Sequence, residues 1–357
     1  MFKGLKVATV LAAGALALAA CGSSSSTGTS TTPPASSTDT AAASSSAPAT
    51  SIKVGMAYDI GGRGDKSFND SAAAGLDQAV KELGVTSKEL SAVPNETDAQ
   101  KAARLTLLAQ GGYDPIIAVG FAYAPALKTV AAKFPNIHFA IVDDSSVTAP
   151  NVASLIFAAN QASYLVGVIA SQASKKASVG YIGGVKVPLL ESFQKGFDAG
   201  VTATNSAVKI TDKYLTLPPD FSGFNAPDKG KATAAGMFDA GADVVYAAAG
   251  GSGSGVFTAA SAAKGWAIGV DSDQYLSADA AVKDVILTSA LKNVNVAVFD
   301  TIQAAVKGSF LTGVQTYDLK NGGVGYSKSN SAVQPFEAKA DAAAQAIIAG
   351  TIVVPGS

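Results

Sequence analysis

The stretch Ile52-Lys-Val-Gly-Met-Ala-Tyr-Asp-Ile-Gly-Gly-Arg-Gly-Asp-Lys-Ser-Phe-Asn69 constrains the fold more than any other part of this 357-residue chain. Residues 52–58 are apolar apart from Lys53, which predicts a short buried strand ending at Asp59. The loop Gly61-Gly-Arg-Gly-Asp65 follows, and then Ala72, Leu76, Ala79, Val80 and Leu83 recur at helical spacing, with Ser67 as the expected N-cap. Strand, Gly-rich loop and helix open a doubly wound α/β domain, in which ligands sit outside the carboxyl ends of the strands. Asp59, Phe68 and Asn69 therefore stand where a ligand is expected. An aromatic face, an amide and a carboxylate suit a flat, hydrogen-bonding organic molecule. The plainer alternative makes the glycines a tight turn and Phe68 a core residue over the helix start.

Charged residues make up 15% of the chain and the formal net charge is -1, so no electrostatic footprint for nucleic acid is present. One Cys and one His exclude a disulfide framework and a His/Cys metal site within one chain. His138 lies in the strand-like run 136–142, where a packed or edge histidine is expected rather than a member of a catalytic triad. No catalytic residue, metal or cofactor is expected.

Lys3 and Lys6 precede the apolar run 7–20, which is short for a membrane span of ~20 residues. It ends Leu18-Ala-Ala-Cys21, matching the bacterial lipobox pattern. Residues 1–21 are thus expected to be a signal peptide with lipid on Cys21, anchoring the protein on the extracytoplasmic face of the cell membrane. Residues 22–51 contain only Ser, Thr, Ala, Pro and Gly apart from Asp39, a composition expected to form a flexible tether.

In residues 52–357, strand-like runs alternate with helical patterns. After the opening unit come a helix near 98–110, a strand at 115–119, a helix near 125–134 and a strand at 138–142 that ends at Asp143-Asp144. A strand at 152–157 and a helix at 161–174 complete this series. A second series begins with a strand at 178–182, a turn at Gly183-Gly184 and a helix at 189–201, and runs to a strand at 266–270. Val179-Gly-Tyr-Ile-Gly-Gly184 echoes Val54-Gly-Met-Ala-Tyr58, as a second α/β lobe would. A strand at 285–292, a helix at 294–306, a hairpin at 315–326 and a helix near 335–348 follow. Two α/β lobes with a hinge and a central cleft are expected, 52–158 plus about 290–311 and 159–289 plus about 312–357.

Gly250-Gly-Ser-Gly-Ser-Gly255 lacks the Lys-Ser/Thr of a P-loop, and Gly61-Gly-Arg-Gly64 lacks the dinucleotide spacing. Glycines that let backbone amides approach a ligand ahead of a helix suit the former, with a flexible turn as the alternative. Arg63-Gly64-Asp65 spells an adhesion tripeptide that chance explains. Asp271 ends an apolar strand in Gly269-Val-Asp-Ser-Asp-Gln274, where a carboxylate suits a ribose diol or caps the next turn. Lys292, after Thr288-Ser289, could donate to the same sugar or neutralise Asp271.

Asp59-Ile-Gly-Gly62, Asp65-Lys-Ser-Phe-Asn69, Gly120-Phe121, Phe139-Ala-Ile-Val-Asp143, Gly269-Val-Asp-Ser-Asp-Gln274 and Thr288-Ser-Ala-Leu-Lys292 occur in this order. From about 52 to 350 the chain resembles the basic membrane protein family of bacterial lipoproteins, which includes purine nucleoside receptors. The resemblance implies a type I periplasmic-binding fold, and a monomer that delivers guanosine, inosine or adenosine to an ABC permease without catalysis. It implies Phe68 stacked on the base, with Asn69, Asp59 and Asp143 on the base edge. Asp271 and Lys292 would hold the ribose, Gly250 and Gly251 the floor, and Phe121 would join the ligand-binding set. The second stacking aromatic best fits Phe224, with a rival register at Pro218-Pro-Asp-Phe221. Asp70 stands where many members have Gln. The alternatives are a surface nucleoside sensor or adhesin without transport, and a nucleoside hydrolase, for which no matching acid/base motif stands out.

Overall fold

The computed structural model describes residues 52–356, so the expectations for 1–51, lipid on Cys21 included, lie outside the described residues. The first series is β1 (Lys53–Ala57), α1 (Phe68–Leu83), β2 (Thr86–Leu90), α2 (Asp98–Gln110), β3 (Ile116–Ala118), α3 (Ala124–Lys133), β4 (Phe139–Val142) and β5 (Val152–Phe157). The second is α4 (Ala159–Ala173), β6 (Ser178–Val185), α5 (Pro188–Thr204), β7 (Lys209–Thr216), α6 (Pro227–Asp239), β8 (Val244–Ala248), α7 (Gly253–Ala263), β9 (Trp266–Asp271) and α8 (Gln274–Ser277). Last come β10 (Ile286–Lys292), α9 (Val294–Val306), β11 (Gly313–Tyr317), β12 (Val324–Tyr326) and α10 (Gln334–Ile348).

The central strands β1, β3, β4 and β8 are apolar almost throughout because helices bury both of their faces, the pattern of a parallel sheet. The strands form two sheets, ordered β11-β5-β4-β3-β1-β2 and β12-β10-β9-β8-β6-β7. Every pairing is parallel except β10 with β12. The edge strand β2 escaped the sequence reading because its residues, Thr-Ser-Lys-Glu-Leu, are almost all exposed. Gly183-Gly184, expected as a turn, instead lies inside β6. These residues are glycines because aromatic rings cover them: a Cβ on Gly183 would stand 2.5 Å from the Tyr214 ring, and one on Gly184 2.5 Å from the Phe224 ring.

The expected hairpin at 315–326 is not one. Its first strand, β11, runs parallel to β5 in the first sheet, while β12 pairs with β10 in the second. The expected lobe boundary near 311 therefore leaves β11 on the wrong side. The chain passes between the sheets at Ala158, at Asn293 and across 318–323. Ala158 N–H donates to the Tyr317 carbonyl at 2.8 Å and Asn293 N–H to the Gly323 carbonyl at 2.9 Å, so the three crossings are bonded side by side. Such a triple connection permits a hinge motion while keeping the lobes in register. On the far side of the hinge α9 returns to α1, where Gly75 allows close approach: a Cβ there would stand 2.3 Å from the Asn295 carbonyl oxygen.

Candidate functional site

The carboxyl ends of both sheets face one cavity, whose empty space together with its open mouth is about 570 Å³. Its first-lobe wall carries Asp59, Phe68, Asn69, Phe121 and Asp143, and its second-lobe wall carries Phe224, Gly250, Asp271 and Lys292. Gly251 lies just behind that wall, against the Asn225 side chain. His138 stands elsewhere, 3.0 Å from Asp114 and tilted on the Phe310 ring.

The start of α1 is organised by Asp65, whose carboxylate accepts from the backbone N–H groups of Ser67, Asn69 and Asp70 at 2.9, 2.9 and 3.1 Å. A carboxylate at a helix N-terminus satisfies orphan donors and complements the dipole. Ser67, the expected N-cap, makes no capping bond. Its hydroxyl instead donates to Asp271 Oδ2 across the cleft at 2.6 Å. Asn69 Nδ2 donates to Asp65 at 3.0 Å and to the Ile60 carbonyl at 3.3 Å. Two acceptors around one amide end fix which atom is nitrogen. They leave Asn69 Oδ1 turned the other way, buried and without a partner among the described residues.

Asp59 accepts from Ile60 N–H at 2.8 Å. Beside it, Gly120 has φ +113°, and a Cβ there would fall 2.4 Å from Asp59 Oδ2, so this carboxylate keeps its place only against glycine. Burial pushes Asp59 up to about 6. Asp143 and Asp271 take equivalent places after β4 and at the end of β9, both at positive φ, +68° and +63°. Aspartate tolerates this backbone better than most residues, and it occurs preferentially at functional turns.

Lys292, for which the sequence left open a bond to the sugar or neutralisation of Asp271, pairs with Asp143, in an ion pair whose side chains are only 3% and 4% exposed. The rings of Phe68, Phe157 and Phe193 surround the same ammonium, with centroids 4.5, 5.3 and 5.9 Å away. Asp143 Oδ1 is buried and has no partner among the described residues. Burial holds the Asp143 carboxyl above its ordinary value, opposed by the Lys292 charge. Burial likewise brings Asp271 to about 6, against the pull of Lys292 and the Ser67 hydroxyl.

Of the two candidate second aromatics, Phe224 holds the wall position. Phe221 instead meets Phe121 edge-on across the mouth, ring centroids 5.9 Å apart. Sequence reasoning missed Leu189, Leu190 and Phe193, which complete the apolar wall. A signal existed: α5 follows β6 as α1 follows β1, so its first turns face the cavity as Phe68 and Asn69 do.

Buried carboxyls also give the fold a pH signature. Asp198 rises to about 7, through burial and then the neighbouring Asp212 charge. Among the described residues its one bond, from Gln194 Nε2 at 3.5 Å, is shared with Asp212, which accepts at 2.8 Å. A carboxyl with a raised folded pKa binds its proton more tightly folded than unfolded. Its contribution is complete below about 4, the ordinary value, and is lost as pH rises through the folded value. Stability of the ligand-free protein is therefore expected to decline from pH 4 to 7 through Asp59, Asp271 and Asp198. Asp198→Asn should melt higher than wild type at pH 8, with the gap closing by pH 5. A gap unchanged with pH would remove Asp198 from this account.

The family model of PnrA-like ABC transporter substrate-binding proteins matches residues 52–357. The ABC transporter nucleoside-binding protein BmpA of Lactococcus lactis is 35% identical over 326 residues, covering 86% of this chain and 90% of its own. An uncharacterized lipoprotein of Pyrococcus horikoshii is 33% identical over 287 residues, covering 77% of this chain and 69% of its own. Among solved structures, an ABC transporter solute-binding protein of Aeropyrum pernix superposes with a TM-score of 0.75 at 29% identity, covering 86% of this chain and 94% of that one. The two lobes make a type I periplasmic-binding fold.

Proposed function

The chain belongs to the PnrA-like family of ABC transporter substrate-binding proteins, and we propose that it captures purine nucleosides outside the cytoplasm and passes them unaltered to an ABC permease. The observation that carries this reading is the pair of buried, unpartnered acceptors, Asn69 Oδ1 and Asp143 Oδ1, beside the Phe68 face. A buried acceptor without a partner costs about 1–3 kcal/mol, so a ligand that brings donors is favoured. The donor edge of a 6-oxopurine meets that need while its faces stack between Phe68 and Phe224. Asn69, Asp59 and Asp143 then hold the base edge, and Phe121 closes the rim. Asp271 and Lys292 hold the sugar over Gly250 and Gly251. The nucleoside-binding name of the Lactococcus relative supports the same ligand class.

The test is a calorimetric and thermal-shift comparison of guanosine, inosine and adenosine with free bases and free sugars. Nucleosides should bind most tightly, and inosine should be recovered intact. Stabilisation by a sugar but by no nucleoside would sink the reading, and release of hypoxanthine would make the protein a hydrolase.

Delivery to a membrane permease fits a protein held at the membrane, with lipid on Cys21 and residues 22–51 as the tether. The lipoprotein name of the Pyrococcus relative supports this. Cys21→Ser is expected to shift the protein from the membrane fraction to the medium or periplasm. Unchanged membrane association in cells that process lipoproteins would refute the anchor.

A further inference from the structure

Four hydrogen bonds join the loop before α1, in the first lobe, to the β9–α8 turn of the second, one of them a longer bond from Ser67 Oγ to the Val270 carbonyl at 3.3 Å. Ser67 Oγ donates to Asp271 Oδ2 at 2.6 Å, Ser272 Oγ donates to the Ser67 carbonyl at 2.8 Å, and Gln274 Nε2 donates to the Lys66 carbonyl at 2.9 Å. Ser67, Asp271 and Gln274 are all buried. The turn itself is tight: Ser272 N–H donates back to the Val270 carbonyl at 2.8 Å, which puts Asp271 at its centre with φ +63°. A three-residue turn of that hand is rare and strained, and persists only where its surroundings hold it. Here part of the hold comes from the opposite lobe, through the Ser67 hydroxyl and the Ser67 and Lys66 carbonyls. Gln274 Oε1 also accepts from Val270 N–H at 2.8 Å, and Gly269 leaves the room for it, since a Cβ there would stand 2.5 Å from that oxygen.

We propose that Ser67 is a positioning residue: its hydroxyl and carbonyl latch the β9–α8 turn across the cleft and aim Asp271 at the hydroxyls of the ligand's sugar. Sugar recognition is thereby tied to lobe closure, because the bonds that set the Asp271 carboxylate span the two lobes. With one oxygen already engaged by Ser67, the other is the freer acceptor for a ligand hydroxyl. This rests on the nucleoside reading above.

The position of Ser67 makes the idea testable, because it immediately precedes Phe68 and Asn69, which face the base. If Ser67 only shapes the helix start, its loss displaces those two residues and weakens free guanine as much as guanosine. If it aims Asp271, the loss falls on guanosine alone. Isothermal titration of Ser67→Ala is expected to show guanosine weakened about tenfold and guanine changed less than about twofold, the size of one buried acceptor left unpaired. Ser67→Thr, which keeps the hydroxyl, should recover guanosine affinity. Ser272→Ala should reproduce the guanosine-selective loss through the other half of the latch, and melting curves identify any variant that misfolds. Equal losses for both ligands, or none for either, overturn the latch while wild-type guanosine binding stands. A wild type that binds neither ligand overturns the nucleoside reading and the latch with it.

Discussion

Lys292→Met is expected to destabilise the protein by about 3–5 kcal/mol, because removing one member of a buried ion pair strands the other. The Asp143 carboxylate is 4% exposed, and one of its oxygens has no partner even in the wild type. Without the ammonium both oxygens are unpaired, and Asp271 loses a positive charge that favours its ionised form. Methionine keeps most of the stem packed among Phe68, Phe157 and Phe193, so the loss reports charge rather than volume. Against a total stability of ~5–15 kcal/mol this is a large fraction. Two controls make the cause explicit. Asp143→Asn in the Lys292→Met background should recover much of the loss, since no buried charge then remains unpaired at that position. The single variant should also regain stability toward pH 5, because protonation of the stranded carboxyl relieves the same penalty. Urea unfolding of wild type, Lys292→Met, Asp143→Asn and the double variant decides it, and an additive double variant would show that the ion pair is not coupled in solution.

Phe68→Ala should weaken guanosine binding by roughly one to two decades, the worth of one base-stacking face at ~1–3 kcal/mol. The ring has two duties, lining the cavity and covering the Lys292 ammonium at 4.5 Å. Some stability is therefore lost as well, and Phe68→Leu separates the two effects. Leucine refills the volume but offers no π-face, so it should restore the melting temperature and leave affinity low. Phe224→Leu should behave alike, since Phe224 is held against the backbone of β6 at Gly184 and faces the same cavity. If Phe68→Leu binds guanosine as wild type does, the ring is a packing residue and stacking plays no part.

Several features of the site were legible because parallel strands end where ligands bind. Asp59, Asp143 and Asp271 each stand at or just past the end of an apolar run, and the run alone shows which end faces the cleft. Phe68 and Asn69 were legible through the helix that begins at them. The repeat of the opening unit at Val179 announced a second lobe, and applying the same reasoning to its helix would have found Leu189 and Phe193.

Local sequence by itself thus determined most of the elements, the doubly wound class and the residues at the strand ends, because burial periodicity and turn chemistry act over a few neighbouring residues. Tertiary structure alone decided the partners. Lys292, expected at the sugar or beside Asp271, took Asp143, 149 positions away, while Ser67 left its own helix for Asp271, 204 positions away. Gly183 and Gly184 read as a turn until the Tyr214 and Phe224 rings lay over them in the sheet. The strand β11 crossed to the first sheet because an open edge beside β5 was available there. Burying a charge or a sheet edge compels it to find a partner. Which partner it finds depends on where the three hinge crossings bring distant strand ends together, and that information is distributed over the whole chain.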